Sequence, residues 1–429
     1  MSVFKNNANA QSYDNLPPFY RQVTQMKAEG RLGQIIKKEE IETPIAGARA
    51  WRIAYISSDV EGKATISTGL IMAPEGAASV GGRPIVAWAH GTTGANETAG
   101  PSQLIDPAQE LNEYFLVGGN SYTDYGLPSI TKFIEQGYVV VGTDYQGLGG
   151  GGKHQYAVAA TNGRDVINSV RAAGSMEEVG GGSKAVVLGW SQGGGAALAA
   201  ASLKDYINQT GTVRDGIEFV GFVGLAPSDI AVYLPSLEQI AGMTDDELNQ
   251  ALVKVNTTFN DNIFDFIHWT MLLYGTSNAF PEQLKLTDVF TEEGAKDIAE
   301  IYSKKGIHGS ADTINYTYGK NYASLYRKDV MNGRVWITAL VKGSVEPVAP
   351  VAPVIIYWGT DDTVCPPAMG KLYRDQMCAK GATVQRVQLA GQQTHFSTPG
   401  ASAEIYQTWI ADRFAGKPVT NDVCVDQVP

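Results

Sequence analysis

The sequence predicts an α/β fold: a mainly parallel sheet with helices on both faces and a mostly helical segment inserted before the last strands. Three observations carry this. Short β-branched and aliphatic runs alternate with stretches of helical spacing, as in sheets buried on both faces. One run, Ala185–Leu188, passes through Gly189-Trp190-Ser191-Gln192-Gly193 into an Ala-rich stretch that favours helix. From about Asp229 to Val341 strand signals fade and aromatics become dense.

The 429 residues, 44% hydrophobic and 18% charged, suffice for one large core and an inserted subdomain. The expected divisions are an N-terminal extension at 1–50, a core at 51–229, a helical cap at 230–341 and the rest of the core at 342–429. A net charge of −11, with no basic block, argues against nucleic acid as a partner.

In chain order, residues 1 to about 50 are polar, with Pro17-Pro18, and read as an ordered extension or tail. Two strands, Trp51–Ile56 and Thr65–Met72, flank a hairpin-type turn at Asp59-Val60-Glu61-Gly62. A buried strand, Pro84–Ala89, ends in His90-Gly91-Thr92-Thr93. Another, Gly137–Asp144, precedes Gly147-Leu148-Gly149-Gly150-Gly151-Gly152, which matches a dinucleotide fingerprint by letter. That reading is rejected. Asp144-Tyr145-Gln146 separates strand from glycines, no helix opens on them, and no second strand ends in an acidic residue at the required distance. Asn162–Val179 has helical spacing and leads back to Ala185. Phe219–Leu225 reads as the sixth strand. Ile263–Tyr274 is apolar nearly all round, which fits a buried cap helix. It is too short and too interrupted by Asp265 and His268 to span a bilayer, so no stable membrane insertion is expected. The Pro-rich connector Glu346–Pro353 returns to strands Val354–Trp358 and Val384–Leu389, the latter read as the last.

The Gly189-x-Ser191-x-Gly193 stretch is a nucleophile elbow, which lifts a serine hydroxyl above the sheet at a helix N-terminus. A serine hydroxyl needs a base, and the base needs a carboxylate to orient it. On this sheet type the order is Ser, acid, His, each just past a strand end. Asp362 follows Val354–Trp358; Asp361 and, more remotely, Asp229 are the alternatives. Of five histidines, only His395 has both the order and the strand-end position. One oxyanion N–H is assigned to Gln192 and the other to Thr92, with Thr93 as its alternative. His90, Gly91, Trp190, Phe264 and Trp269 are expected against the substrate. The three cysteines include no C-x-x-C, so neither a zinc cluster nor any other metal site is read. One disulfide with one free thiol fits only an oxidising compartment.

Taken together, these residues resemble the secretory lipase family, whose members have the α/β-hydrolase fold. The resemblance runs from about Trp51 to Cys424. It includes Arg52-Ile53-x-Tyr55 with Ser58-Asp59 and Gly62; His90-Gly91-Thr92; and Asp144-Tyr145-Gln146-Gly147-Leu148-Gly149 followed by His154-x-Tyr156. It continues through Arg171-Ala172-Ala173, the elbow, Asp362 with Val364 and Pro366, and Cys378-Ala379-Lys380-Gly381-Ala382. The resemblance implies a Ser191–Asp362–His395 triad, oxyanion donors at Gln192 and the His-Gly-Thr loop, and a helical lid after the sixth strand. It also implies a Cys378–Cys424 disulfide, leaving Cys365 free. Members are secreted esterases and lipases without cofactors, so a small-molecule ester or lipid substrate is expected. Met1–Ala10 has no apolar core and is read as lacking a signal peptide; a secreted or periplasmic chain whose leader has been removed fits the resemblance. An acyltransferase, a peptidase or amidase, and a non-catalytic ligand- or glycan-binding scaffold are the rival readings.

Overall fold

A computed structural model describes residues 15–429. The start read as lacking a signal peptide lies outside the described residues.

Ten strands form one sheet: β1 (Ile35–Ile41), β2 (Ala48–Ser58), β3 (Ala64–Pro74), β4 (Arg83–Ala89), β5 (Val139–Gln146), β6 (Gly181–Trp190), β7 (Glu218–Leu225), β8 (Val354–Trp358), β9 (Val384–Gln388) and β10 (Asp426–Gln427). Their order is β1-β2-β3-β5-β4-β6-β7-β8-β9-β10. The β1, β2, β3 and β5 pairings are antiparallel, and every pairing from β5 through β4 to β10 is parallel. Strand residues alternate between the two faces. On β6, Ala185 and Val187 pack against the helices Ala159–Ser175 and Gln192–Ser202, while Val186 and Leu188 face the side covered by Ile130–Glu135 and Thr398–Phe414. All four side chains are fully buried.

Two strands escaped the sequence reading. β1 lies within the stretch read as an extension, so Phe219–Leu225 is the seventh strand rather than the sixth. β1 is an edge strand whose Lys37, Lys38, Glu39 and Glu40 leave no apolar alternation to detect; such charges keep an edge from pairing with other chains. The N-terminal segment is likewise part of the body. Phe19, Tyr20 and Val23, on the short helix Pro18–Val23, pack with Leu16 against Ala54, Ile56 and Ile66. β10, only two residues long, follows the strand read as last and pairs with β9.

β10 is anchored covalently by Cys378–Cys424, whose Cα atoms are 5.7 Å apart. Arg374 and Arg386 both pair with Asp426 at 2.8 Å. Cys365 is free and buried. The disulfide closes a separation of 46 residues, so loop entropy alone gives about 4 kcal/mol of stabilisation. The double Cys378→Ser/Cys424→Ser variant is expected to lose about that much in urea unfolding, with a somewhat higher m-value because its unfolded chain is less compact. A loss below about 1 kcal/mol would mean that β9 pairing and the two arginines already hold the C-terminus.

Between β7 and β8 the chain forms the helices Leu237–Gly242, Asp245–Thr258, Ile263–Ala279, Glu292–Lys304, Ile307–Tyr318 and Gly333–Gly343. They share an apolar cluster of their own, which also takes in Tyr156 and Val158 from the loop leading to helix Ala159–Ser175. Polar starts are written locally: Ser236 with Gln239 and Thr244 with Glu247 form reciprocal capping boxes. No described helix is long and apolar enough to cross a membrane.

The glycine run after β5 does not offer its amides to a phosphate. The N–H groups of Gly149 and Gly151 donate to Glu97 Oε1 at 3.0 and 2.6 Å. Burial pushes the Glu97 carboxyl up to about 8, against the pull of those two donors.

Candidate active site

The site is built at the carboxyl end of β6. Ser191 has φ 59° and ψ −120°, a strained conformation for a residue with a side chain. Neighbouring backbone holds it there: Ser191 N–H donates to Leu225 O, and Ser228 N–H donates to Ser191 O, both at 3.0 Å. The glycines allow the close approach. A Cβ on Gly189 would sit 2.0 Å from Gly193 O, and one on Gly193 would sit 1.9 Å from Ala89 O. Helix Gln192–Ser202 starts immediately after, so its first N–H groups have no partner within the helix and face the serine.

Three far-separated side chains meet here. His395 Nε2 is 2.8 Å from Ser191 Oγ, and His395 Nδ1 is 2.8 Å from Asp362 Oδ2. All three residues are buried. The other Asp362 oxygen, Oδ1, accepts from the N–H groups of Val364 and Cys365 at 2.9 and 2.8 Å, which keeps Oδ2 aimed at the imidazole. Trp190 Nε1–H donates to His395 O at 3.1 Å, and its ring lies 5.3 Å from the histidine ring. With Nδ1–H donated to the carboxylate, the Nε2 lone pair faces the serine hydroxyl and can take its proton. Among the described residues the alternative acids make no hydrogen bond to His395: Asp361 is exposed, and buried Asp229 caps Ala231 N–H at 3.0 Å.

The His90-Gly91-Thr92 loop runs close to the elbow. A Cβ on Gly91 would meet the Trp190 ring at 2.8 Å, and Thr92 Oγ1 hydrogen-bonds Tyr156 OH at 2.7 Å. Beside Ser191 a cavity of about 720 Å³, including the space at its mouth, extends under the cap. Its walls include Tyr156, Phe259, Trp269, Leu272, Met369 and Cys365, together with Asp229, Asp265 and His268. Residues 265, 268, 269 and 272 are spaced i, i+3, i+4, i+7, so one face of helix Ile263–Ala279 forms the roof.

The secretory lipase profile matches residues 119–213 and 223–422, well over half of the chain. The chain belongs to the secretory lipase family.

Lipase 9 of Candida albicans is 23% identical to it over 304 residues, 67% of this chain and 59% of that protein. The chain therefore spans less than two thirds of that relative's length. The secreted triacylglycerol lipase LIP3 of Malassezia globosa is 24% identical over 433 residues, covering 95% of this chain and 84% of its own. Among solved structures, lipase A of Candida antarctica superposes with a TM-score of 0.67 at 17% identity, covering 96% of this chain and 89% of that one. The rice cell wall degrading esterase LipA of Xanthomonas oryzae gives a TM-score of 0.62 at 18% identity, covering 90% and 100%. At these identities the likeness is one of fold, the α/β-hydrolase fold.

Of the five residues expected against substrate, the fold brings only Trp269 to the cavity wall. His90 serves the scaffold instead. Its Nδ1 and Nε2 face the carbonyls of Gly91 and Asp144 at 2.6 and 3.3 Å, and burial lowers it to about 4. Gly91 lies against Trp190, and Trp190 supports the back of His395. Phe264 is 36% exposed, immediately before the helix face that lines the cavity, and meets Phe115 edge-on at 5.8 Å. That aromatic group continues to Phe396, which stacks on Phe115 at 4.0 Å and meets the His395 ring edge-on at 5.2 Å.

Sequence reasoning missed Phe115, Tyr156 and Asp265. Tyr156 had a signal in the His154-x-Tyr156 motif, which the resemblance carried without a role. Phe115 lies in the excursion closed by the isolated bridge between Asn112 and Tyr125, where the local sequence shows neither period.

Proposed function

We propose that this chain hydrolyses carboxylic esters through an acyl-enzyme. The observation that carries the reading is the pair of 2.8 Å contacts joining Ser191 Oγ, His395 and Asp362 at the mouth of a cavity. Ser191 Oγ attacks the ester carbonyl while His395 Nε2 takes its proton. Asp362 holds the tautomer and offsets the imidazolium charge. The N–H groups of Gln192 and Thr92 donate to the developing oxyanion. His395 then returns the proton to the leaving alcohol, and water repeats the sequence to release the acid. The family and the names of its relatives support a lipase or esterase. The named relative that is secreted, together with the disulfide, supports secretion of this chain as well.

A 4-nitrophenyl ester series from acetate to palmitate tests this, run beside a fluorophosphonate probe. Turnover and stoichiometric labelling of Ser191 are expected. A folded protein inert to every ester and to the probe would mean a binding scaffold. Preferential transfer to added methanol over water would mean an acyltransferase.

A further inference from the structure

The two halves of an ester held at Ser191 meet different surroundings. The cavity under the cap is walled by Ile230, Leu272, Val364 and Met369 with Phe259 and Trp269, a lining that suits the hydrocarbon of the acid half. The alcohol half points the other way, because its oxygen must receive a proton from His395 Nε2. Next to that imidazole stands Phe396, edge-on at 5.2 Å. Phe396 and the rings it touches do not line the cavity. They begin where the cavity ends: Phe264 immediately precedes Asp265, and Asp265 and His268 still belong to the cavity wall. The aromatic group therefore runs from the roof helix to the His395 loop, past the mouth.

Three separate elements supply its rings. Phe115 stacks on Phe396 at 4.0 Å, meets Phe264 edge-on at 5.8 Å, and lies 4.9 Å from His308 of the helix Ile307–Tyr318. The excursion carrying Phe115 is fixed from both sides. Asp124 Oδ1 accepts the Tyr114 N–H at 2.6 Å, the Tyr114 ring lies 4.0 Å from His308, and Tyr122 OH donates to Asp312 Oδ2 at 3.2 Å. Yet the group is not a closed core: Phe115 is 38% exposed and Phe264 36%. Rings held in place beforehand lose little freedom when a ligand arrives. A further ring can join them edge-to-face or offset, with a gain beyond the area it buries. A saturated ring gains the area alone.

We propose that Phe115, Phe264, His308 and Phe396 form the alcohol subsite, and that it selects esters whose alcohol carries an aromatic ring. The inference rests on the ester-hydrolase reading and names the leaving-group class of that same site.

The test is a one-pot competition between 2-phenylethyl butyrate and 2-cyclohexylethyl butyrate, both below their solubility limits. The two alcohols differ little in acidity, so the ratio of kcat/KM reads the ring and not the chemistry. The saturated ring is the more hydrophobic, so burial of area alone favours the cyclohexyl ester. A preference of about fivefold for the phenyl ester is expected. Phe115→Leu and Phe264→Leu, which keep an apolar side chain and remove the ring, are each expected to cut that ratio by half or more, and Phe115→Tyr to retain it. Both esters are read in the same tube, so a partly unfolded variant lowers both rates and leaves the ratio alone. A ratio near one in the parent, or a preference that survives both leucine variants, would overturn the proposal. Dependence on Phe115 seen only with emulsified esters would overturn it too, by making the group an anchor to a lipid surface. Calorimetry of 2-phenylethanol and 2-cyclohexylethanol on Ser191→Ala protein reads the subsite without turnover. Tighter binding of the phenyl alcohol, with no ester turned over by the parent, would sink the hydrolase reading and keep the subsite. Turnover of both esters at equal kcat/KM would do the reverse.

Discussion

Replacing Ser191 by alanine should lower kcat for ester hydrolysis by about 10⁴-fold or more and leave the fold unchanged, because the residues of such a triad act as one unit. The hydroxyl oxygen is removed and nothing else moves. Alanine accepts the same φ of 59° as serine does, and the two backbone bonds to Leu225 and Ser228 involve main-chain atoms only. Stability should stay within about 0.5 kcal/mol, as for substitutions that disturb no packing. Steady-state kinetics and a urea melt of the same preparation check both halves. Activity above a few per cent of the parent would remove Ser191 from the chemistry. Lost activity with lost stability would leave its role unproved, and Ser191→Cys would then be labelled to locate the reactive atom.

Gly193→Ala should be the most damaging single methyl in the core. Its Cβ would lie 1.9 Å from Ala89 O, 2.3 Å from Ala89 C and 2.6 Å from His90 O. Those are backbone atoms at the end of β4, so no rotamer change relieves the clash. Either the elbow or the β4 end must shift. An overpacked core position of this kind costs about 1–3 kcal/mol. The shift also displaces the loop carrying Thr92 relative to Ser191. A misplacement of about 1 Å in a reacting geometry costs about 10²-fold in kcat. Gly242→Ala serves as the control. No atom lies within 4 Å of its added Cβ, and the site is a helix end, so stability should hold or rise slightly. Equal behaviour of the two variants would show that the elbow does not need the space.

Much of the fold was legible because its signals are local. β4 through β8 carry β-branched or aliphatic runs whose side chains are mostly buried on both faces of the sheet, and that burial is written as composition. The edges were not legible for the same reason. β1 meets solvent, so its composition is that of a surface, and β10 has two residues. The elbow was legible because strand, strained turn and helix are contiguous. The acid was less so. Asp361, Asp362 and Asp229 all stood near strand ends, and the choice came from a turn in which Val364 and Cys365 donate to Asp362 and aim its other oxygen at His395.

The substrate wall was the least legible. Helix Ile263–Ala279 is apolar nearly all round, so periodicity could not say which side would roof the cavity. Phe264 and Trp269 were equivalent as letters. Packing of the cap turned the face of Asp265, His268, Trp269 and Leu272 toward Ser191 and left Phe264 against Phe115.

By itself, then, the sequence determined the α/β layout, the elbow with its serine, and the order in which an acid and a histidine follow it, since each depends on residues adjacent in the chain. Tertiary structure alone decided that residues 191, 362 and 395 touch, that His90 and Trp190 support rather than line the site, and that two carboxyls face the cavity. Those outcomes depend on how separate elements approach one another, and burial of one helix face instead of another is settled by the shape of what it packs against.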